Sequence, residues 1–397
     1  MKGNNYTLLY IFFFLIPFVY LGSEKFFLVA RAMLIVFGVL SIVHYGAFKI
    51  IIKDPFLVIM LSVLTFFSLL HKKLYPFPTI LIAIESYMFF SKSKIPFTCK
   101  HKGLIALKNG CLFSAIIGVL YMLSSGTIIR GGDFVTNSWG ISNITVPLFL
   151  SFYIVCDVIL TLEPKKNILV RLKRYLIRAC IWIVAFLLIV LLGKRGPILF
   201  STVSVIVALF VYNTYFKRLI LSLLFLYPIW ELPLITYITE NLVDRAETIF
   251  DRMDDFENVD DNPRIIRLQA ASVFITDFSP RDLIGYHEEL ILTKNPADVE
   301  HNHFHNFLLQ LYYERGLICV ISVFLVFLFY REDKSCKSLP QQCAFGLLAF
   351  LLFIGMNESL MLCGTAGEIL FFVTYLYHKQ VYVFEKNNRI ANLDDFV

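Results

Sequence analysis

Apolar runs of roughly the length needed to cross a bilayer recur along almost the whole of this chain. They begin with Leu8–Leu21 and return around Phe37, Leu61, Ile82, Ala115, Leu150, Phe186, Val205, Phe225, Phe324, Ala349 and Phe371. No single soluble core can absorb so many of them. Composition points the same way: 58% of residues are hydrophobic and 17% charged, against about 45–50% and about 25% in soluble domains. The mean hydropathy is +0.71. The expected fold is therefore an all-α integral membrane protein with about twelve transmembrane helices, at the usual ~20 residues each. The first run resembles a signal-peptide core in length, but no small-residue cleavage site follows it, so it reads as a retained helix.

Lysine and arginine give the orientation. With the N-terminus inside, the inner segments hold 21 of the 36 Lys and Arg residues, whereas the short outer loops hold six: Lys25, Lys72, Lys73, Arg130, Lys194 and Arg195. The bias predicts both chain ends on the cytoplasmic side and the one long polar insert outside. Residues 1–240 then form an N-terminal bundle of about nine helices. Residues 241–304 form a large periplasmic loop with short helices, and residues 305–378 the C-terminal helices. Residues 379–397 form a polar cytoplasmic tail, read as unstructured beyond Tyr377. The formal charge of +6 is a matter of topology. No basic groove with interleaved aromatics appears, so nucleic acid is not an expected partner. The eight cysteines lie mostly in or beside apolar runs and read as small buried hydrophobes, with no disulfide framework or paired-cysteine metal site. No internal repeat is visible.

Chemistry concentrates where the polar insert returns to membrane. His301–Gly316 reads HNHFHNFLLQLYYERG, with three histidines and two asparagines in its first six positions. An apolar run, Leu317–Tyr330, follows. His301 and His305 share a helical face, and His301, His303 and His305 align if the segment is extended. Metal ligation is one reading, although no Cys or Glu stands at a recognised ligand spacing. Helix capping is another, reasonable for His301. For His305 the favoured role is general base, because imidazole titrates nearest neutral pH. Asn306 is a further candidate beside it.

Two basic features face the same side. Gly193-Lys194-Arg195-Gly196-Pro197 forms a tight turn between apolar helices, where the charge rule disfavours cations. Arg195 with Lys194 either snorkels to water or grips an anion, a guanidinium being able to chelate phosphate bidentately. In the insert, Asn262-Pro263 opens a predicted helix through Phe274, on which Arg264 and Arg267 share a face. They either solvate that helix or supply a second grip on a pyrophosphate. Leu283-Ile284-Gly285 reads as a short extended piece stopped by glycine. The acidic run Asp251–Asp261 lacks the glycine and spacing of a calcium loop and reads as a solvated segment. Intramembrane Glu85, Lys108, Asp157, Glu231 and Glu368 are costly, and are either functional or helix-packing ion pairs. Glu231, nearest the outer face, is the one to test for catalysis.

These residues together resemble the O-antigen ligase/polymerase superfamily, bacterial membrane glycosyltransferases that use undecaprenyl-pyrophosphate-linked saccharides. The likeness rests on three features. They are the Gly-Lys-Arg-Gly turn, the segment Asn262-Pro263-Arg264 through Leu283-Ile284-Gly285, and the block His303-Phe304-His305-Asn306-Phe307-Leu308-Leu309-Gln310 with Glu314 and Gly316-Leu317. The family turn often carries Ser or Thr where this chain has Lys194. The resemblance implies a GT-C-like glycosyltransferase architecture in the bacterial inner membrane, with its active site facing the periplasm. It assigns Arg195 and Arg264 to pyrophosphate binding and His305 to acceptor activation, with His303 matching the first histidine of the block. Arg267 joins them from helix geometry. The implied partners are a lipid-linked oligosaccharide donor and acceptor, membrane lipids and a chain-length regulator; no cofactor or metal is implied.

The reading favoured by Phe307-Leu308-Leu309-Gln310 is a repeat-unit polymerase of the Wzy type, acting in O-antigen, capsule or exopolysaccharide synthesis. Two rivals stay open. A sister ligase would transfer finished polymer to lipid A-core with the same clamp, and a lipid-linked oligosaccharide flippase would line a path with intramembrane charges.

Overall fold

The structure is a computed structural model that describes residues 6–22, 25–45, 62, 65–66, 69, 77–91, 95–125, 144–161, 168–192, 195–212, 280–285, 307–328, 338–357 and 366–394. Among the described residues there are ten α-helices and one 3-10 turn, and no strand. In chain order the helices are α1 (Thr7–Val19), α2 (Lys25–His44), α3 (Phe77–Ser91), α4 (Phe97–Ser124), α5 (Thr145–Thr161), α6 (Ile168–Leu191) and α7 (Arg195–Tyr212). The turn Pro280–Leu283 follows, then α8 (Phe307–Leu328), α9 (Leu339–Asn357) and α10 (Ala366–Asp394). Ten of the apolar centres expected from the sequence fall inside these helices; those at Leu61 and Phe225 lie outside the described residues.

Among the described residues, two helices are long and apolar enough to cross a membrane, Phe27–His44 of α2 and Phe97–Ser124. Shorter apolar helices surround them. α2 shows what its exposed side is built for. Leu28, Val29, Met33, Val36, Leu40 and Val43 are exposed on it, while Phe27, Leu34, Ser41 and Ile42 are buried. A helix apolar on its exposed face as well as its buried one is suited to lipid rather than water.

The bundle is organised around α5 and α10. Every residue of α5 from Thr145 to Asp157 is buried, and so is every residue of α10 from Ala366 to His378. α5 packs against α4, α6, α7 and α9, and α10 against α3, α4 and α9. At one end, Tyr20 just past α1 bonds Thr79 at the start of α3, the two hydroxyl oxygens 2.6 Å apart. At the other end, Lys100 near the start of α4 donates to Gln380 Oε1 at 2.7 Å, and His101 Nδ1 lies 2.6 Å from the Tyr377 hydroxyl. Ser338, just before α9, bonds Glu385 at that same second end.

This second end corrects the expectation for the tail. α10 does not stop near Tyr377 but continues as helix to Asp394. Phe384 stacks on Phe97 with ring centroids 4.4 Å apart, and Gln380 and Glu385 are both engaged. Helix contacts of this kind hold a polar segment that composition alone reads as loose.

Two of the intramembrane charges prove to be partners. Lys108 on α4 donates to Asp157 Oδ1 on α5 at 2.5 Å, with side-chain exposures of 9% and 2%. From α6, Trp182 Nε1 donates to Asp157 Oδ2 at 3.0 Å, and Arg178 Nε stands 3.8 Å from the same oxygen. Arg178 also donates to the Thr161 hydroxyl, and Thr161 donates to the Asp157 carbonyl at 2.5 Å. The Lys108 ammonium lies 5.3 Å from the Tyr153 ring centroid, in position for a cation–π contact. Such a pair is no net source of stability compared with an apolar pair of the same shape, but removing one member strands the other. Asp157→Ala is therefore expected to destabilise the protein by about 3–5 kcal/mol. Thermal unfolding in detergent checks this, and the double variant Lys108→Met/Asp157→Leu should recover most of the loss.

Candidate functional site

The end of the bundle where α1 finishes and α2, α3 and α10 begin carries most of its unusual chemistry. α7 begins toward this end too, and α8 passes beside it. Ser151, in the first half of α5, donates to the Pro197 carbonyl in the first turn of α7 at 3.2 Å. Arg315 and Cys319 of α8 lie near the start of α10, since Arg315 and Glu368 are both within electrostatic range of the buried Cys319 thiol.

α8 is broken at Gly316, whose φ of 78° and ψ of 174° belong to a backbone region that side chains exclude. The break receives the turn Pro280–Leu283. A Cβ at Gly316 would collide with the Leu283 carbonyl and lie 2.5 Å from the Ile284 amide nitrogen. Glycine is thus required twice there, for its torsion and for its missing side chain. The incoming segment is a tight 3-10 turn rather than the extended piece predicted from Leu283-Ile284-Gly285. Arg281 O accepts from the Ile284 and Gly285 amides at 3.1 and 2.8 Å, and Gly285 ends the turn at a φ of 85°. Pro280 suits the opening of such a turn because its fixed φ and missing N–H cost nothing there.

Polar side chains are sealed around this junction. Asp282 in the turn is fully buried, and Gln310 and Arg315 on α8 are each 2% exposed. Leu311, Tyr313 and Cys319 are buried on the same helix. Next to it, Glu368 reaches Tyr20 electrostatically, as does Arg31. Arg31 donates from Nε to the Val19 carbonyl at 3.0 Å and from Nη2 to the Gly22 carbonyl at 3.2 Å, capping the C-terminus of α1. Its guanidinium carbon sits 4.4 Å from the Tyr20 ring centroid.

Of the residues singled out in the sequence, Arg195 is the first residue of α7; its side chain is outside the described residues. Lys194, Glu231, Arg264, Arg267, His303, His305 and Asn306 lie outside the described residues altogether, as do His301 and the run Asp251–Asp261. His305 precedes the first residue of α8 by two positions. The structure therefore brings together two of the three pieces on which the family resemblance rests, Leu283-Ile284-Gly285 and Gly316. Sequence reasoning missed Arg31, Arg315 and Gln310. An arginine early in the apolar run of α2 was a visible signal for the first. Nothing local distinguished Arg315, and Gln310 stood out only as a member of the block that follows the histidines. Among the described residues, no three His, Cys, Asp or Glu side chains are grouped to hold a metal ion.

Comparison with known proteins finds no matching family model, and no curated protein matches the sequence. The case for a function thus rests on the residues themselves. Gly316→Ala forces a side chain into strained torsions, at a cost of about 1–3 kcal/mol, and against the Leu283 backbone. Limited proteolysis is expected to cut near residues 280–285 several-fold faster in this variant than in the parent protein. An unchanged cleavage pattern would mean that the turn does not depend on the notch.

Proposed function

We propose that this protein is an integral-membrane glycosyltransferase that joins undecaprenyl-pyrophosphate-linked repeat units into a surface polysaccharide at the periplasmic face of the bacterial inner membrane. The observation that carries the proposal is the docking of Pro280–Leu283 onto the break at Gly316. This contact ties a piece of the polar insert to the helix that follows the histidine block. A second support is that α7, opened by Arg195, starts toward the end of the bundle where α10 begins, and that α8, preceded in sequence by His303–Asn306, passes beside the start of α10. The lysine and arginine bias makes that end the outer one. The helix count of about twelve and the GT-C-like architecture belong to the same proposal.

In the proposed reaction His305 takes the proton of an acceptor sugar hydroxyl. The freed oxygen attacks the anomeric carbon of the donor glycan, and the bond from that carbon to the pyrophosphate oxygen breaks. Undecaprenyl pyrophosphate departs with the electron pair. Arg195 and Arg264 neutralise the charge that grows on it, with Lys194 and Arg267 adding positive potential nearby. A single displacement inverts the anomeric centre. General-base catalysis of this kind is worth about 10²–10⁴-fold in rate. Purified protein given lipid-linked repeat units is therefore expected to make polymer, with His305→Ala at least about a hundredfold slower. Arg195→Ala and Arg264→Ala should also lose activity, and Lys in place of Arg264 should recover it poorly, because an ammonium lacks the planar fork. A deletion strain separates this from ligation: core bearing one repeat unit marks a lost polymerase, whereas bare core with lipid-linked polymer marks a lost ligase. Polymer of normal length made by His305→Ala would end the proposal.

A further inference from the structure

Glu85 stands apart from the other charged side chains of the bundle interior. It lies on α3 about 12 Å along the helix from Phe77, at ~1.5 Å per residue, and is 4% exposed. Among the described residues, neither carboxyl oxygen has a hydrogen-bond partner. Its surroundings are bare. A Cβ added to Gly38 of α2 would lie 2.7 Å from the Glu85 carboxyl carbon and 2.7 Å from a ring carbon of Phe12 on α1. The carboxyl group therefore sits in a notch that α2 opens only because residue 38 lacks a side chain. Nearby Ser86 and Ser41 spend their hydroxyls within their own helices, on the Ile82 and Phe37 carbonyls.

The contrast with Asp157 is instructive. That carboxylate is buried to a similar degree but receives Lys108, Trp182 and Arg178. Glu85 receives nothing. On the helices packed against α3, Arg31 and Glu368 gather around Tyr20 at one end, and His44 lies edge-on to Tyr45 on α2's far side. The other titratable groups on these elements are Tyr10 of α1, Lys25 of α2, Tyr87 of α3 itself, and Tyr375, Tyr377, His378, Lys379, Tyr382, Glu385, Lys386, Arg389 and Asp394 of α10. Among the described residues, none of them hydrogen-bonds the Glu85 carboxyl. An isolated carboxylate in such a place is far more costly than the neutral acid.

We propose that Glu85 is a proton-binding site, held as the neutral acid while α2 is seated on α3. One carboxyl group without auxiliary ligands takes a proton and not a metal cation. Because the backbone of α2 at Gly38 lies directly against the carboxyl, too close even for a Cβ, release of the proton to solvent is coupled to α2 separating from α3. Proton occupancy and the seating of a lipid-facing helix are thereby coupled. This inference does not depend on the glycosyltransferase reading, and its test contains no sugar substrate.

The test is labelling with dicyclohexylcarbodiimide, which reacts with protonated carboxyls in apolar surroundings. The carboxyl oxygen bonds to the central carbodiimide carbon and the carboxyl proton passes to a nitrogen. The adduct then rearranges by oxygen-to-nitrogen acyl transfer to a stable N-acylurea, and no group leaves. Peptide mass spectrometry of the intact purified protein is expected to place the label on Glu85 and not on Asp157. A water-soluble charged carbodiimide should miss Glu85, and sodium at constant pH should not protect it. In hydrogen exchange, raising the pH should loosen α2 in the parent protein but not in Glu85→Gln, which cannot lose a proton. Absence of label on Glu85 while other carboxyls react would overturn the proposal, as would protection by sodium or an identical pH response in the two proteins. The labelling reads the unmodified chain, so the result stands even if Glu85→Gln folds poorly.

Discussion

At Gly316 a main chain from one part of the sequence is pressed against the main chain of a helix from another. The contact is possible only because the residue at the break has no side chain and adopts torsions of 78° and 174°. Several features of this end of the bundle gather at that approach. The turn Pro280–Leu283 is held against α8. Asp282, Gln310 and Arg315 are shut away from solvent. The segment just upstream of α8 is the one that carries three histidines. A polar loop that only hovered over the bundle would position nothing; one that is locked into a helix break can deliver arginines of the same loop to a fixed place.

The intramembrane charges divide the bundle by task. Asp157 is met by Lys108, Trp182 and Arg178 from two neighbouring helices, so it fixes how α4, α5 and α6 sit together. A buried network with every lone pair answered specifies one packing, whereas a partly answered one leaves alternatives. Arg31 plays a comparable part in small, covering the last carbonyls of α1. Glu85 is of the other kind, an acid whose charge has nowhere to go. The rigid network and the unanswered acid lie in different parts of the bundle. The first belongs to the α4–α6 region and the second to the sheath formed by α1, α2 and α3.

Much of the helical framework was legible in the sequence, because apolar runs are local signals. The extension of α10 to Asp394 was not. Residues beyond Tyr377 are polar, and their helix is secured by Phe97, Lys100 and Ser338, which are distant in the chain. The pairing of Lys108 with Asp157 was out of reach for a similar reason. Periodicity places each on a helix but does not say which faces meet across 49 positions. The 3-10 turn was misread as extended because a short apolar stretch before glycine gives no period, and the decisive residue, Pro280, stands just ahead of it. At the site itself, Gly285 and Gly316 were legible as members of family-like motifs. Arg315 was not, and Arg31 was visible only as a cation early in an apolar run.

The central claim is spatial: Arg195 at the head of α7 and His305 just before α8 face one carrier lipid. It is tested most directly in a background whose native cysteines are replaced, by introducing Arg195→Cys with His305→Cys and treating membranes with a short bifunctional maleimide. The account requires an intramolecular cross-link between the two positions that undecaprenyl pyrophosphate suppresses by occupying the space between them. Failure of the pair to cross-link, while a control pair at Leu283 and Leu317 does, would contradict it.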